Sequence, residues 1–317
     1  MSFDLLNELM EINEEERAIL QQTKEVKKDL YTNQPHFVIE SEKFLSKEKL
    51  IMVRKHTRFV DFPKHKHNYI EINYVYSGRL KQKVGNEEIV LKKGELLFLN
   101  QHIEHEIDAC SHEDIVINFI IQPDFFKFIF SFLTSENMVN DFLINSLFNN
   151  TQNGQFLYFK VSEIEEIQDL LEKMIVELMN PTLLSDSAVK LRMGLLMIEL
   201  IKHSDKVVQR KELTLQHYYI VESLKYIEEH YREATLYELS ERLNLTHYSL
   251  SKKIKQATSY TFKELLQDRR LSKSKELLES TDLPIAEIVD QIGYDNISYF
   301  YRIFKGKYGV TPRVLRG

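Results

Sequence analysis

The feature that most constrains this chain is a repeat near its C-terminus. Leu236–Leu265 matches Ile285–Leu315 position by position, apolar with apolar and basic with basic, with one extra residue in the second copy. The matched pairs are Leu239 with Ile288, Leu243 with Ile292, Leu250 with Phe300, Lys252 with Arg302, Ile254 with Phe304, Lys255 with Lys305, and Thr261 with Thr311. Each copy has the length of one supersecondary unit, so the sequence predicts the same small helical motif twice.

Each unit has the pattern of two helices joined by a tight turn. In the first unit the turn is Asn244-Leu245-Thr246, and Thr246 is suited to cap the helix that follows. In the second unit Gly293 gives the backbone the freedom that such a turn requires. This pattern predicts a helix-turn-helix, whose second helix fits the major groove of B-form DNA.

The outward faces of the two second helices carry the candidate DNA contacts. These are Tyr248, Ser251, Lys252 and Lys255 in the first unit, and Ser298, Tyr301, Arg302 and Lys305 in the second. Either basic cluster alone would be explained more simply as solvated charge, but the repeat and the turn residues favour DNA binding. Lys263–Glu279 is predicted to form one connecting helix about 25 Å long, which would place the two helices in successive major-groove segments.

The second unit also carries a specific signature. It consists of Ile285-Ala286-Glu287-Ile288, Gly293-Tyr294, Ser298-Tyr299-Phe300-Tyr301-Arg302-Ile303-Phe304-Lys305, and Tyr308-Gly309-Val310-Thr311-Pro312. Through these motifs the region Tyr219–Gly317 resembles the AraC/XylS family of transcriptional regulators. The resemblance implies that the outward residues contact bases. Two positions depart from the family pattern: Val289 stands where Ala is usual, and Lys253 where an apolar residue is common.

The resemblance also implies partners and a cellular role. Such a chain is expected to be a sequence-specific regulator, more often an activator, that binds double-stranded DNA and acts with RNA polymerase. A homodimer in the cytoplasm is expected. The net charge of −6 does not by itself indicate a nucleic-acid binder.

A different pattern occupies residues 36–122. Short strand-like runs recur at intervals of roughly ten residues, separated by turn residues, which predicts a small β-sandwich or barrel. His65-Lys66-His67, Glu71 and Gly78 match the first metal motif of cupin barrels. The second motif is poorer: His105 follows Gly94 at the expected spacing, but the expected prolines are missing. Similar regulators often carry such a barrel as a sensor of small molecules.

Three interpretations of the polar residues in this barrel stay open. They wall an effector pocket, for which a carbohydrate-like molecule is the commonest case in the family; they bind a divalent metal; or they are structural, in a regulator without an effector. The effector-pocket candidates are His65, His67, Tyr69, Glu71, Tyr76, Asn100 and His105. The metal candidates are His65, His67, Glu71 and His105, since imidazole and carboxylate groups suit divalent transition metals.

The fold class predicted is α+β and multidomain, with a cupin-like barrel, flanking helices and an all-α tandem helix-turn-helix domain. The expected division is an N-terminal helix (1–35, with Phe3–Leu30 amphipathic), the barrel (36–122), an all-helical dimerisation region (123–204) and the DNA-binding domain (211–317). Ser162–Met179 and Leu184–His203 carry long apolar faces, which would pack on the barrel or on each other, or form the dimer interface.

Several classes of protein are not expected. No apolar stretch approaches the ~20 residues that span a bilayer, so no membrane segment is predicted. The N-terminus lacks the pattern of a secretory signal, and the single cysteine, Cys110, allows no intramolecular disulfide. We find no catalytic motif and expect no enzyme and no cofactor; a metal-dependent cupin, as an enzyme or a metal sensor fused to a DNA-binding domain, is the alternative.

Overall fold

The computed structural model describes residues 5–23, 25–46, 49–131, 137–148, 154–208 and 215–316. The chain divides into two compact units, one containing Met1–Lys127 and Asn137–Glu212, the other Phe128–Glu136 and Leu213–Gly317. The first unit is built on β-sheets and the second is helical. This confirms the predicted α+β multidomain class.

The first unit contains two five-stranded sheets, with the strand orders β1-β3-β8-β5-β6 and β10-β7-β4-β9-β2. Within the described ranges, strand pairing does not close these sheets into one barrel, and we use the term barrel for the pair of sheets. The strands are β1 (Val38–Ile39), β2 (Ile51–Lys55), β3 (Phe62–His67), β4 (Ile70–Ser77), β5 (Arg79–Val84), β6 (Glu87–Lys92), β7 (Leu96–Leu99), β8 (His105–Ile107), β9 (Ile115–Ile121) and β10 (Phe156–Phe159). Apart from the parallel pair β1–β3, neighbouring strands are antiparallel.

Burial along the strands shows which faces form the core. Strand β5 alternates between exposed and buried residues, as a strand with one solvated face does, whereas β4 is buried along most of its length. Inward residues of both sheets, including Leu80, Leu91, Leu97 and Val116, belong to one buried cluster. This core fixes β3, β4 and β8, the strands that carry the candidate polar residues.

The predicted division of this unit is wrong at one strand. Residues 123–204 were expected to be all-helical, but β10 lies among them and pairs with β7, with Phe156 opposite Leu99. The run Phe156–Phe159 is too short to show a period, and its pairing with a distant edge strand stabilises it. The other elements between residues 123 and 204 are a 3-10 helix (Pro123–Ser131), α3 (Met138–Phe148), α4 (Glu165–Met179) and α5 (Ser185–Lys202).

The N-terminal segment is not the single helix predicted for Phe3–Leu30. It forms α1 (Leu5–Met10), α2 (Glu14–Ala18), one π-helical turn (Ile19–Thr23) and a 3-10 turn (Lys28–Leu30). A capping box starts α2: the Asn13 side chain accepts a hydrogen bond from the backbone N–H of Glu16 at 2.8 Å, and the Glu16 side chain accepts one from the backbone N–H of Asn13 at 3.1 Å. The chain therefore turns before α2.

Glu16 also ties this segment to the barrel. Its carboxylate accepts hydrogen bonds from Arg58 Nε at 2.7 Å and Nη2 at 3.0 Å, and both side chains are buried. Lys55 Nζ lies 3.1 Å from the same carboxylate. Burial alone would raise the pKa of Glu16, but the hydrogen bonds from Arg58 and from the Asn13 backbone hold that pKa below its ordinary value. The segment is thus attached by a buried ion pair.

The second unit contains the two predicted helix-turn-helix motifs. Its helices are α6 (Leu215–His230), α7 (Leu236–Arg242), α8 (His247–Thr258), α9 (Phe262–Ser280), α10 (Ile285–Gln291), α11 (Ile297–Tyr308) and α12 (Pro312–Arg316). The motifs are α7–α8 and α10–α11, and α9 connects them. Gly293 has φ +81°, and a Cβ atom there would collide with the carbonyl oxygen of Arg232. Asn244 holds a similar conformation in the first turn, with φ 50°.

Among the described residues, no helix is both long enough and apolar enough to cross a membrane.

We expect Glu16→Gln to lower the free energy of unfolding by about 3–5 kcal/mol, because it leaves the buried Arg58 guanidinium without its counter-charge. Urea unfolding of the full chain, followed by circular dichroism, measures this. Glu14→Gln is the matched control, since Glu14 is an exposed carboxylate on the same helix. Equal unfolding midpoints for the two variants would show that the ion pair does not hold the segment.

Candidate nucleic-acid interface and buried histidine cluster

Side-chain caps fix where the two recognition helices begin. Thr246 accepts a hydrogen bond from the backbone N–H of Ser249 at 3.2 Å, and Asn296 accepts one from the backbone N–H of Tyr299 at 2.9 Å. Each helix is followed by a capping residue with positive φ, Ser259 after α8 and Gly309 after α11. The repeat therefore extends to the boundaries of the helices.

Inward apolar residues orient both helices. Leu250 and Ile254 of α8, and Phe300 and Phe304 of α11, have no exposed surface. Because these positions recur every four residues, the opposite face of each helix is held outward. Tyr248 is 76% exposed there. Of the other predicted contacts, those that are exposed are Lys252, Lys255, Ser298, Arg302 and Lys305, and those that are half-buried are Ser251 and Tyr301.

Two of the outward cations have neighbours within the unit. Lys255 Nζ lies 3.6 Å from a carboxylate oxygen of Glu264, in an exposed pair that contributes little to stability. The Arg302 guanidinium lies over the ring of Tyr299, with 5.2 Å between its central carbon and the ring centroid. Lys253, the departure from the family pattern, lies over the Tyr219 ring at 5.0 Å.

The barrel brings three histidines into one buried cluster. Strand β3 supplies His65 and His67, β8 supplies His105, and one nitrogen from each ring lies within 4.8 Å of the others. His67 Nε2 and His105 Nε2 are 3.2 Å apart. Glu71 Oε2, from β4, lies 3.6 Å from His67 Nε2 and 3.8 Å from His105 Nε2. The four metal candidates therefore lie together.

Burial sets the charge of this cluster. It lowers the pKa of His65 to about 4 and holds the pKa values of His67 and His105 well below the ordinary value. It also raises the pKa of Glu71 to about 7, against the opposing effect of a hydrogen bond from Asn73. Near neutral pH the three imidazoles are therefore uncharged.

Hydrogen bonds fix the tautomers of two of these rings. His65 Nδ1 lies 2.7 Å from the carbonyl oxygen of Pro63, which only accepts, so this nitrogen donates. His105 Nδ1 lies 2.8 Å from Gln82 Oε1 and donates in the same way. Each ring is left with a lone pair on Nε2, the arrangement of metal-ligating histidines whose other nitrogen is held by an acceptor. The cluster thus fits a divalent metal.

The seven effector-pocket candidates do not line one cavity. A cavity of about 20 Å³ is lined by His65, Tyr69 and Glu71, and this volume holds about one water molecule. The Asn100 side chain is instead bonded to the backbone: its Oδ1 accepts hydrogen bonds from the N–H groups of His102 and Gln155. The residues outside this cavity are His67, Tyr76, Asn100 and His105.

Other residues on the cavity were missed by the sequence analysis. Tyr31 comes from the N-terminal segment, and Arg54 and His56 lie in or directly after β2. The Tyr31 hydroxyl donates to Glu15 at 2.6 Å, and Arg54 Nη2 lies 3.0 Å from that hydroxyl. No motif links these positions along the chain, so no sequence signal could have grouped them.

Comparisons with known proteins identify both regions. A family model described as a helix-turn-helix domain matches residues 239–317, and one described as a cupin domain matches residues 57–121. No curated protein gives a significant match to the chain.

Solved structures similar to this chain fall into two groups. The C-terminal domain of AraT, a response regulator from Geobacillus stearothermophilus, is 37% identical over 33% of this chain and 87% of that chain, with a TM-score of 0.30. The C-terminal domain of the response regulator YesN from Fusobacterium nucleatum is 36% identical over 30% and 94%, with a TM-score of 0.29. Unsaturated fatty acid-bound ToxT from Vibrio cholerae is 20% identical over 84% and 94%, with a TM-score of 0.35.

Sequence identity, and not the superposition of structures, identifies the family of this chain. The identity to the two response-regulator domains extends over most of those domains, and the helix-turn-helix model covers both units of the repeat apart from the start of α7. The signature of the second unit lies within the same region. This chain belongs to the AraC family of DNA-binding transcription regulators, with a cupin domain preceding its tandem helix-turn-helix domain.

Proposed function

We propose that this regulator recognises a specific DNA sequence by placing α8 and α11 in two successive segments of the major groove. The observation that carries the proposal is the duplicated recognition helix, each copy capped at its start, anchored by two buried residues and polar on its outer face. The connecting helix α9 has 19 residues and is about 28 Å long, close to the roughly 34 Å of one DNA turn.

Charge and shape suggest a role for each outward residue. The side chains nearest the middle of each outer face, Lys252 in α8 and Arg302 in α11, would read bases together with Tyr248, Ser251, Ser298 and Tyr301. An arginine forms two hydrogen bonds with guanine, and a lysine also donates to guanine. Lys255 and Lys305 lie one turn further along, where phosphate contacts would position the helix.

We expect Lys252→Ala and Arg302→Ala each to weaken binding to the preferred sequence by about 1–3 kcal/mol, the range for a lost base contact. A duplex that the full chain selects from a random pool supplies the preferred sequence, and titration by fluorescence anisotropy measures affinity. Lys206→Ala, which removes one positive charge from the first unit, is the control. An equal loss on unselected DNA would make these residues phosphate contacts instead of base readers.

The proposal includes a homodimer formed through α5. Its outer face carries a stripe of apolar residues spaced alternately by four and three, which is the spacing of a coiled-coil seam. Leu184 is 70% exposed, Leu191 71% and Leu195 51%. The stripe consists of Leu184, Ala188, Leu191, Leu195 and Ile198. Asp186 near the start of α5 and Lys202 at its end favour antiparallel pairing with a second copy, since opposite charges then lie together.

We expect Leu191→Asp to convert the dimer to a monomer, because it places a charge in the centre of the apolar seam. Sedimentation equilibrium of the full chain measures the change. Leu183→Asp is the control, since Leu183 is 98% exposed but lies outside the stripe. Operator affinity should fall together with dimerisation, because two linked binding modules gain from effective concentration. A wild-type chain that is already monomeric would contradict the proposal.

We further propose that the cupin domain receives the signal and that the DNA-bound dimer activates transcription with RNA polymerase in the cytoplasm. A carbohydrate-sized effector does not fit the cavity of about 20 Å³ beside His65 and Glu71. A more open pocket of about 430 Å³, lined by His67, Asn68 and Gln101, has the volume that a small molecule needs. The same small cavity is consistent with a regulator that has no small-molecule effector.

A metal-sensing barrel is a second candidate, and the histidine cluster favours it. His65, His67 and His105 would hold a divalent cation with Glu71, since two of the rings have fixed tautomers with a lone pair on Nε2. A bound cation would supply the positive charge that the uncharged rings lack. All four side chains are buried, which limits the contact of the site with bulk water.

We expect the purified full chain to bind Co²⁺ and to show the visible absorption of a nitrogen-coordinated ion. His105→Ala should abolish that spectrum, because it removes one ligand and leaves a gap in the buried cluster. His36→Ala is the control, since His36 is exposed and lies outside the cluster. Absence of any Co²⁺ spectrum in the wild-type chain would contradict the proposal of a metal-sensing barrel.

A further inference from the structure

The two recognition helices differ in how they hold their central cation. In α11 the Arg302 guanidinium lies over the ring of Tyr299, at 5.2 Å from the centroid. The repeat places Ser249 of α8 at the position of Tyr299, so Lys252 has no ring three residues before it. A residue three positions before an arginine meets its side chain, because long helical side chains lean toward the N-terminus of the helix.

Tyr299 is itself fixed in place. Its hydroxyl donates to Gln267 Oε1 of α9 at 3.2 Å, and its ring packs against that of Tyr294 at 5.8 Å between centroids. Its backbone N–H is held by the cap residue Asn296 at 2.9 Å. The ring is thus joined to the connecting helix, to the turn and to the start of α11.

Arg302 has no competing ion pair among the residues that the structure describes. A guanidinium paired with a carboxylate would have to break that pair before reading a base. Here the planar group rests on an aromatic face instead, which leaves its N–H donors available at its edge. A free arginine loses much rotamer freedom when a base fixes it, and an arginine already held in place loses less.

We propose that Tyr299 is a positioning residue for base recognition: its ring holds the Arg302 guanidinium ready for a guanine in the segment read by α11. This proposal rests on the proposed function, in which Arg302 reads a base. It adds that the two units read bases differently, because Tyr299 holds Arg302 in α11, whereas Ser249 stands at the matching position before Lys252 in α8. The effect is on discrimination at one base pair, more than on affinity for DNA in general.

The test uses the full chain and a duplex that it has selected from a random pool. Each guanine in the segment assigned to α11 is replaced in turn by 7-deazaguanine, which lacks the N7 acceptor in the major groove. For the wild-type chain we expect one such replacement to weaken binding about tenfold, within the range for a bidentate base contact. Arg302→Ala should bind both duplexes equally, which establishes that Arg302 reads this guanine.

Tyr299→Leu is expected to reduce the tenfold discrimination to about twofold, while Tyr299→Phe, which keeps the ring, retains it. Tyr308→Leu removes another ring from the same helix and is the matched control, with discrimination unchanged. Discrimination at the base pair read by Lys252 should persist in Tyr299→Leu, which shows that the unit is folded. If Tyr299→Leu does not fold, Tyr299→Met replaces it as the variant that lacks the ring.

Two results would overturn the proposal while leaving the proposed function intact. One is Tyr299→Leu and Tyr299→Met keeping the full tenfold discrimination, which would make Tyr299 purely structural. The other is Tyr299→Phe losing as much as Tyr299→Leu, which would show that the ring face does not hold Arg302. If Arg302→Ala still discriminates against 7-deazaguanine, Arg302 does not read that guanine, and the positioning role of Tyr299 fails together with the base-reading role proposed for Arg302.

Discussion

The burial of two apolar residues on each recognition helix is the constraint on which the function of this protein depends. Leu250 with Ile254, and Phe300 with Phe304, have no exposed surface, so neither helix can rotate without exposing them. Burying a side chain of this size stabilises by about 1.5–3 kcal/mol relative to exposure. The orientation of Lys252 and Arg302 toward solvent follows from this packing. The turn residues then fix the angle between the helices, and at Gly293 a larger residue would collide with the backbone of Arg232.

The barrel is built on a different principle, in which buried polar groups satisfy one another. The Glu16–Arg58 pair joins the N-terminal segment to the barrel, and hydrogen bonds from His65 and His105 set their own tautomers. Buried charges are costly unless they are paired, so each of these buried side chains requires its particular partner. The cavity lined by His65 and Glu71 holds about one water molecule, whereas a larger and more open pocket of about 430 Å³ reaches His67.

The sequence predicted the second unit well and the first unit less completely. The repeat, Thr246 and Gly293 were enough to place both helix-turn-helix motifs, because the turn chemistry and the apolar spacing are local. Strand β10 was missed because four aromatic and apolar residues show no period, and only pairing with β7 makes them a strand. The break before α2 had a visible signal, since Asn13 and Glu16 have the spacing of a capping box.

The candidate sites also differ in how far the sequence could predict them. The outward faces of α8 and α11 follow from helical periodicity, and the metal candidates lie together because His65 and His67 are on one face of β3. The small size of the cavity could not be predicted, because it depends on how Tyr31 and other distant side chains pack. The contact of Arg302 with Tyr299 also depends on a rotamer that the sequence does not specify.

Hydroxyl-radical footprinting of the full chain on its selected duplex tests the central claim most directly, because it reports which segments of the groove are covered. Two recognition helices joined by α9 predict two protected segments for each bound chain, on one face of the duplex and about 10 base pairs apart. A single protected segment would contradict the account, since only one of the two units would then be bound to DNA.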